Sequence, residues 1–196
     1  MKQTRVTNPP PFYVYLWAVA LLTLVGLTDS IYLAISHYRV YTDIGYTSFC
    51  AISRAINCDT VSQSPYAIML NLPVAVWGVI GYAFILILVF MAGSKSAGKV
   101  RIWSLIFWVT LIFSGPSLIL ALISTYLIQS YCILCLVSYG VNLALLFYAW
   151  LIRRRFSNCG LIANTQKDIL FLWENKVKNI LLFATFFAAA IFTWVL

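Results

Sequence analysis

Charge is what this sequence has least of. Asp, Glu, Lys and Arg make up 9% of its 196 residues, and only five of them are acidic. A soluble domain carries roughly a quarter of its residues charged, so an ordinary soluble globular fold is excluded. No basic stripe interleaved with surface aromatics is present either, which argues against a nucleic-acid partner despite the formal net charge of +8. Internal repeats and low-complexity tracts are also missing. So is a short apolar leader with a small-residue cleavage site, and the first apolar run therefore reads as a retained helix. What fills the chain is apolar: 63% hydrophobic and 16% aromatic. Such a surface needs a lipid bilayer as its solvent.

A membrane-spanning helix takes about 20 apolar residues. Five runs meet or approach that length: Phe12 to Ser36, Ile68 to Ala92, Ile102 to Leu127, Cys132 to Ile152, and Ile180 to Leu196. The expected fold is an all-α membrane protein, a four-helix transmembrane bundle with a fifth C-terminal transmembrane helix. Residues 1–152 would form the bundle, with an outward loop at 37–67. Residues 153–179 would be a cytoplasmic connection, and 180–196 the fifth helix, which at 17 residues barely spans.

The few charges set the orientation. Lys2, Arg5, Lys95, Lys99, Arg101, Arg153, Arg154, Arg155, Lys167, Lys176 and Lys178 fall on one side of the alternating spans, and only Arg39 and Arg54 on the other. The positive-inside rule then puts the N-terminus in the cytoplasm and the 37–67 loop in a periplasm or lumen. The Arg153 to Arg155 run is a topology anchor.

That sidedness sorts the five cysteines. Cys50, Cys58, Cys132 and Cys135 face the compartment where disulfides persist, and Cys159 the reducing one. Cys132 and Cys135 form a CxxC at a helix N-terminus, with Ser130 as the expected N-cap. Unpaired amides and the helix dipole there favour thiolate, and the spacing stacks both sulfurs on one face. A structural disulfide or two buried apolar cysteines is the plain alternative. Cys50 and Cys58 can close a small loop, as a staple contributing about 2 to 3 kcal/mol or as a relay of thiol exchange toward the CxxC. A zinc site would need all four to converge, and no metal is expected.

Below the CxxC, Cys135, Tyr139 and Asn142 share a helix face running into the bilayer. They suit interhelical hydrogen bonding or, as two donors beneath a reactive sulfur, a lipid-soluble quinone. His37 reads as an interfacial side chain. Asp29, costly within a span, reads as a hydrogen-bonding group of the bundle rather than a proton relay.

Together these residues resemble the vitamin K epoxide reductase family. The resemblance rests on Gly26, Asp29, Ser30 and Tyr32 in the first run, the Cys50 and Cys58 pair, and the stretch from Cys58 through Ser64, Pro65, Tyr66 and Ala67. Pro73, Gly78 and the CxxC complete it, over residues 12 to 152. It implies a thiol:quinone oxidoreductase that reoxidises a thioredoxin-fold, DsbA-like protein supplied in trans and passes electrons to a membrane quinone. That quinone would be ubiquinone, menaquinone or plastoquinone. Cys132 and Cys135 would be the quinone-proximal pair, Cys135 the deeper, and Cys50 and Cys58 the shuttle pair. Ser64, Tyr139 and Asn142 would lie at the quinone. Vitamin K epoxide reduction is the runner-up activity, and a non-enzymatic membrane protein braced by disulfides is the competing class. Asn71 stands where relatives often carry glycine, a departure expected to affect how the second span begins.

Overall fold

The computed structural model describes residues 11–93, 102–156 and 160–174. Cys159 and the expected fifth span at 180–196 lie outside them. Among the described residues four helices are long and apolar enough to cross a bilayer, and the chain is an all-α membrane protein.

Helix α1 runs from Phe12 to Thr42 after the extended Pro11. Its 31 residues give about 46 Å of helix, well beyond roughly 30 Å of hydrocarbon. It therefore passes the end expected at Ser36, and the loop opens at Asp43 rather than at His37. Tertiary contacts hold the extra turns: Tyr46 Oη donates to Ser36 Oγ at 3.1 Å, and His37 Nδ1 lies 2.8 Å from Ser62 Oγ. Asp43 then stops the helix, its Oδ1 accepting from the Gly45 amide in a tight local turn.

The loop carries a short helix, α2 (Cys58–Ser62), and a single helical turn at Pro65–Ala67. A two-stranded hairpin follows, β1 (Ile68–Met69) against β2 (Leu72–Pro73). The second span was expected from Ile68, but α3 (Val74–Gly93) begins six residues later. The cause is the hairpin turn, where Leu70 and Asn71 hold φ of 52° and 66°. Two left-handed residues in succession make a type I′ turn, which glycine and asparagine tolerate best. Asn71 thus preserves the turn that a glycine would make.

Helix α4 (Trp103–Ile123) contains Pro116 and runs into a widened turn, Ser124–Ile128, ended by Gln129 at φ 54°. Helix α5 (Ile133–Phe156) returns, carrying the three arginines in its last turn. Helix α6 (Leu161–Glu174) occupies part of what was expected as a plain connection. Its Asp168 carboxylate accepts from the amides of Ile102 and Ser104 at 2.9 and 3.1 Å, capping α4 from a separate helix. Burial raises the Asp168 pKa, against the pull of those amides.

Helix α1 packs against α3 and α5, and α4 closes the bundle against α5 and α3. A Cβ on Gly78 would stand 2.6 Å from Ser30 Oγ, and one on Gly26 would enter the Tyr82 ring. These glycines let α1 and α3 approach, the usual device where lipid supplies no hydrophobic drive between helices. Val19, Ile85, Leu88, Ile106 and Leu145 fill the core. Trp17, Leu21, Phe90, Ile112 and Phe147 project outward, as lipid-facing side chains must.

Candidate functional site

The cysteines gather at one end of the bundle. Cys50 and Cys58 form a disulfide with Cα atoms 5.6 Å apart, while Cys132 and Cys135 are free thiols. Cys50, Cys58 and Cys132 are buried together, with Cys135, Leu33, Val61 and Leu134 packed against them. Spacing alone left open whether the two pairs meet, and in the fold they do.

Backbone hydrogen bonds bring them together. The amide of Asn57 donates to the carbonyl of Tyr131 at 3.0 Å, and the amide of Tyr131 donates to Ala55 at 2.8 Å. The loop ahead of Cys58 is thereby stitched to the residue ahead of Cys132. Asn57 also starts α2, its Oδ1 accepting from Asp59 and Thr60 at 2.9 and 3.1 Å. Asp59 Oδ2 reaches back to the Ser48 amide at 3.0 Å, which fixes the chain on the Cys50 side of the disulfide.

Ser130 was expected to cap the CxxC helix. Its Oγ instead lies 3.5 Å from the Asn57 carbonyl, and the cap is Cys132 itself, whose Sγ accepts from the Cys135 amide at 3.2 Å. The sulfur takes the place of a serine oxygen at a helix N-terminus, where negative charge is favoured. Hydrogen bonding from the Cys135 side chain holds the Cys132 thiol below its ordinary pKa, with burial opposing and the Cys135 amide helping. The arrangement suits a nucleophile and leaving group in thiol exchange.

Beneath the thiols lies a cavity of about 390 Å³, within the range of small-molecule sites. Its wall is mainly apolar. Cys58, Cys132, Cys135, Ser64, Tyr139 and Asn142 all line it, so every expected site residue except Cys50 borders one space. Ser64 Oγ donates to the Val61 carbonyl at 2.7 Å, which ties α2 to the turn that follows it. Asn142 is engaged on both sides, with Tyr82 Oη donating to its Oδ1 at 2.8 Å and its Nδ2 donating to Ser117 Oγ at 2.6 Å. It therefore cross-links α3, α4 and α5 at the cavity wall.

Tyr82, Ser117, Ser138 and His37 also line the cavity and were not singled out as site residues. Ser138 was within reach of pattern reasoning, being one turn beyond Cys135 on the same face. Tyr82 and Ser117 belong to other helices, and no local spacing connects them to the CxxC. His37, expected at an interface, is turned onto the cavity by its contact with Ser62. Among the described residues no group of His, Cys, Asp and Glu could hold a metal.

The family model for the vitamin K epoxide reductase family matches residues 17–150. This chain belongs to that family. The match spans α1 to α5 and takes in both cysteine pairs and the cavity beneath them. No curated protein matches the chain. Vitamin K epoxide reductases are thiol- and quinone-type oxidoreductases, generally quinone-linked and working with thioredoxin-like partners. The residues here fit a quinone: a mostly apolar space large enough for a ring, a few hydroxyl and amide groups on its wall, and a dithiol at its edge.

Proposed function

We propose that this protein is a membrane thiol:quinone oxidoreductase that reoxidises a thioredoxin-fold partner in trans and passes the electrons to a membrane quinone, supporting disulfide formation. The observation that carries the reading is the shared position of Cys58, Cys132 and Cys135 on one cavity, with the Cys50–Cys58 disulfide packed against Cys132.

The partner's thiolate attacks the Cys50–Cys58 disulfide, its second thiol resolves the mixed disulfide, and the partner leaves oxidised with both loop cysteines reduced, one of them as thiolate. That loop thiolate attacks the Cys132–Cys135 disulfide at Cys132, and closure of Cys50–Cys58 releases the dithiol. Cys135, one turn into α5, faces the acceptor. A quinone bound there supplies two-electron acceptance. Tyr139 and Asn142 border it, and Ser64 holds the loop at its mouth. Sidedness follows the basic residues, with the arginine end of α5 in the cytoplasm and the cysteine end in a periplasm or lumen. The membrane would be an inner, plasma or thylakoid-type membrane.

The test is direct transfer in detergent. Purified protein is mixed with a reduced thioredoxin-fold dithiol and a soluble quinone analogue, with the corresponding epoxide in a parallel sample. The expected result is loss of two thiols per quinone reduced. No transfer to either acceptor would return the protein to the non-enzymatic class, and transfer to the epoxide alone would favour epoxide reduction.

A further inference from the structure

Asp29 lies within α1, a membrane-spanning helix, and is 8% exposed. Its Oδ2 accepts the Ser138 hydroxyl of α5 at 2.5 Å, and its Oδ1 is buried with no hydrogen-bond partner. The bundle hydrogen bond expected of this residue is therefore made, but by one oxygen only. Tying α1 to α5 does not require a carboxyl group, since a second serine or an asparagine would do it without an ionisable side chain in hydrocarbon. Such side chains inside a membrane are costly and mark pathways for protons or ions.

The surroundings favour a proton path. Ser138 on α5 is bonded to Asp29, and the Tyr82 hydroxyl on α3 and the thiols of Cys132 and Cys135 lie close enough to feel its charge. Ser138 also lines the cavity, one turn below Cys135. A hydroxyl can accept a proton from one side while donating its own on the other, so Ser138 joins the carboxyl to the cavity.

We infer that Asp29 and Ser138 form a proton-holding pair through which one of the two protons of the Cys132–Cys135 dithiol reaches the acceptor in the cavity. The inference rests on the thiol:quinone reading. Two S–H bonds break and one S–S bond forms as two electrons leave the dithiol. Two O–H bonds form on the acceptor. Asp29 delivers one of those protons through Ser138, the Cys135 proton returns to the carboxyl by way of the same hydroxyl, and the Cys132 proton supplies the other O–H bond. Asp29 touches neither sulfur nor acceptor and acts through Ser138.

Infrared difference spectra between the dithiol and disulfide states, taken on quinone-free protein with a small dithiol as reductant, read the carboxyl directly. The expected spectrum contains a carboxyl carbonyl change that is absent in Asp29→Asn, displaced in Asp29→Glu and shifted in Ser138→Ala. In turnover, Asp29→Asn and Ser138→Ala should lower kcat about a hundredfold with KM nearly unchanged, and Asp29→Glu should restore most of it. An Asp29→Asn difference spectrum identical to the native one, or native kcat in both variants, would overturn the inference. Should Asp29→Asn fail to fold, Ser138→Ala carries both readouts. If the native protein reduces no quinone, the proposed function fails while the infrared arm still decides whether the pair exchanges a proton with the dithiol.

Discussion

The amide of Asn57 donates to the carbonyl of Tyr131 at 3.0 Å, joining the residue before Cys58 to the residue before Cys132. Two cysteines 74 positions apart in sequence are thus held as neighbours by main-chain bonding, which side-chain exchange around the sulfurs leaves intact. Asn57 adds its side chain as the cap of α2. Asn57→Ala should cost about 1 kcal/mol of cap stability and slow exchange between the two cysteine pairs. Stopped-flow oxidation with a reduced partner should show the slower step, while reduction of the quinone by a prereduced Cys132–Cys135 pair keeps its rate.

Cys132 should titrate below an ordinary thiol. Hydrogen bonding from Cys135 favours its thiolate, so the fraction of thiolate at a given pH is raised and alkylation begins at lower pH. In protein whose other cysteines outside the CxxC are serine, iodoacetamide labelling of Cys132 against pH gives the midpoint. Cys135→Ala removes the largest of these hydrogen bonds, and the midpoint should move up.

Asn142 is a structural as well as a cavity residue. Asn142→Leu leaves the Tyr82 hydroxyl without its side-chain acceptor and removes the hydrogen bond to Ser117. Tyr82 keeps the Ser138 carbonyl and Ser117 the Phe113 carbonyl as acceptors, so each lost hydrogen bond costs about 0.5 to 1.5 kcal/mol. Thermal unfolding in detergent should show that loss together with a raised KM for quinone. Asn142→Asp, which keeps the acceptor for Tyr82, should lose less stability.

The contact between α1 and α3 depends on small residues. Gly78→Val places a branched side chain against Ser30, and overpacking of this kind costs about 1 to 3 kcal/mol. The variant should unfold at lower temperature, and Gly78→Ala should fall between it and the native protein. Asn71→Val forces a β-branched residue to φ 66° and should destabilise the hairpin by about 1 to 2 kcal/mol, while Asn71→Gly should be tolerated.

What could be read before the fold was known is what has a local signature. Continuous apolar runs mark four of the helices, and the CxxC spacing alone places Cys135, Tyr139 and Asn142 on one face. The missed features are long-range or masked. The hairpin at Ile68–Pro73 is hidden because its residues are as apolar as the span beyond them, so hydropathy does not register the two left-handed residues that break the helix. The end of α1 passes Ser36 because contacts to Tyr46 and Ser62 outweigh the polar residues of its last turns. Cys132 replaces Ser130 as the cap because the Tyr131 backbone is already committed to the loop. Asp29 and Ser138 are 109 residues apart, and only the packing of α1 on α5 makes them partners.

In the proposed relay, electrons pass from the loop pair to the CxxC by direct disulfide exchange. Cys135→Ser removes the thiol that would resolve a link to Cys132, so the exchange intermediate should accumulate. Peptide mapping by mass spectrometry of the oxidised Cys135→Ser protein, isolated from membranes and alkylated without reduction, is predicted to find Cys132 disulfide-linked to Cys50 or Cys58. An intact Cys50–Cys58 disulfide beside an alkylated Cys132, with no cross-linked peptide, would contradict the relay.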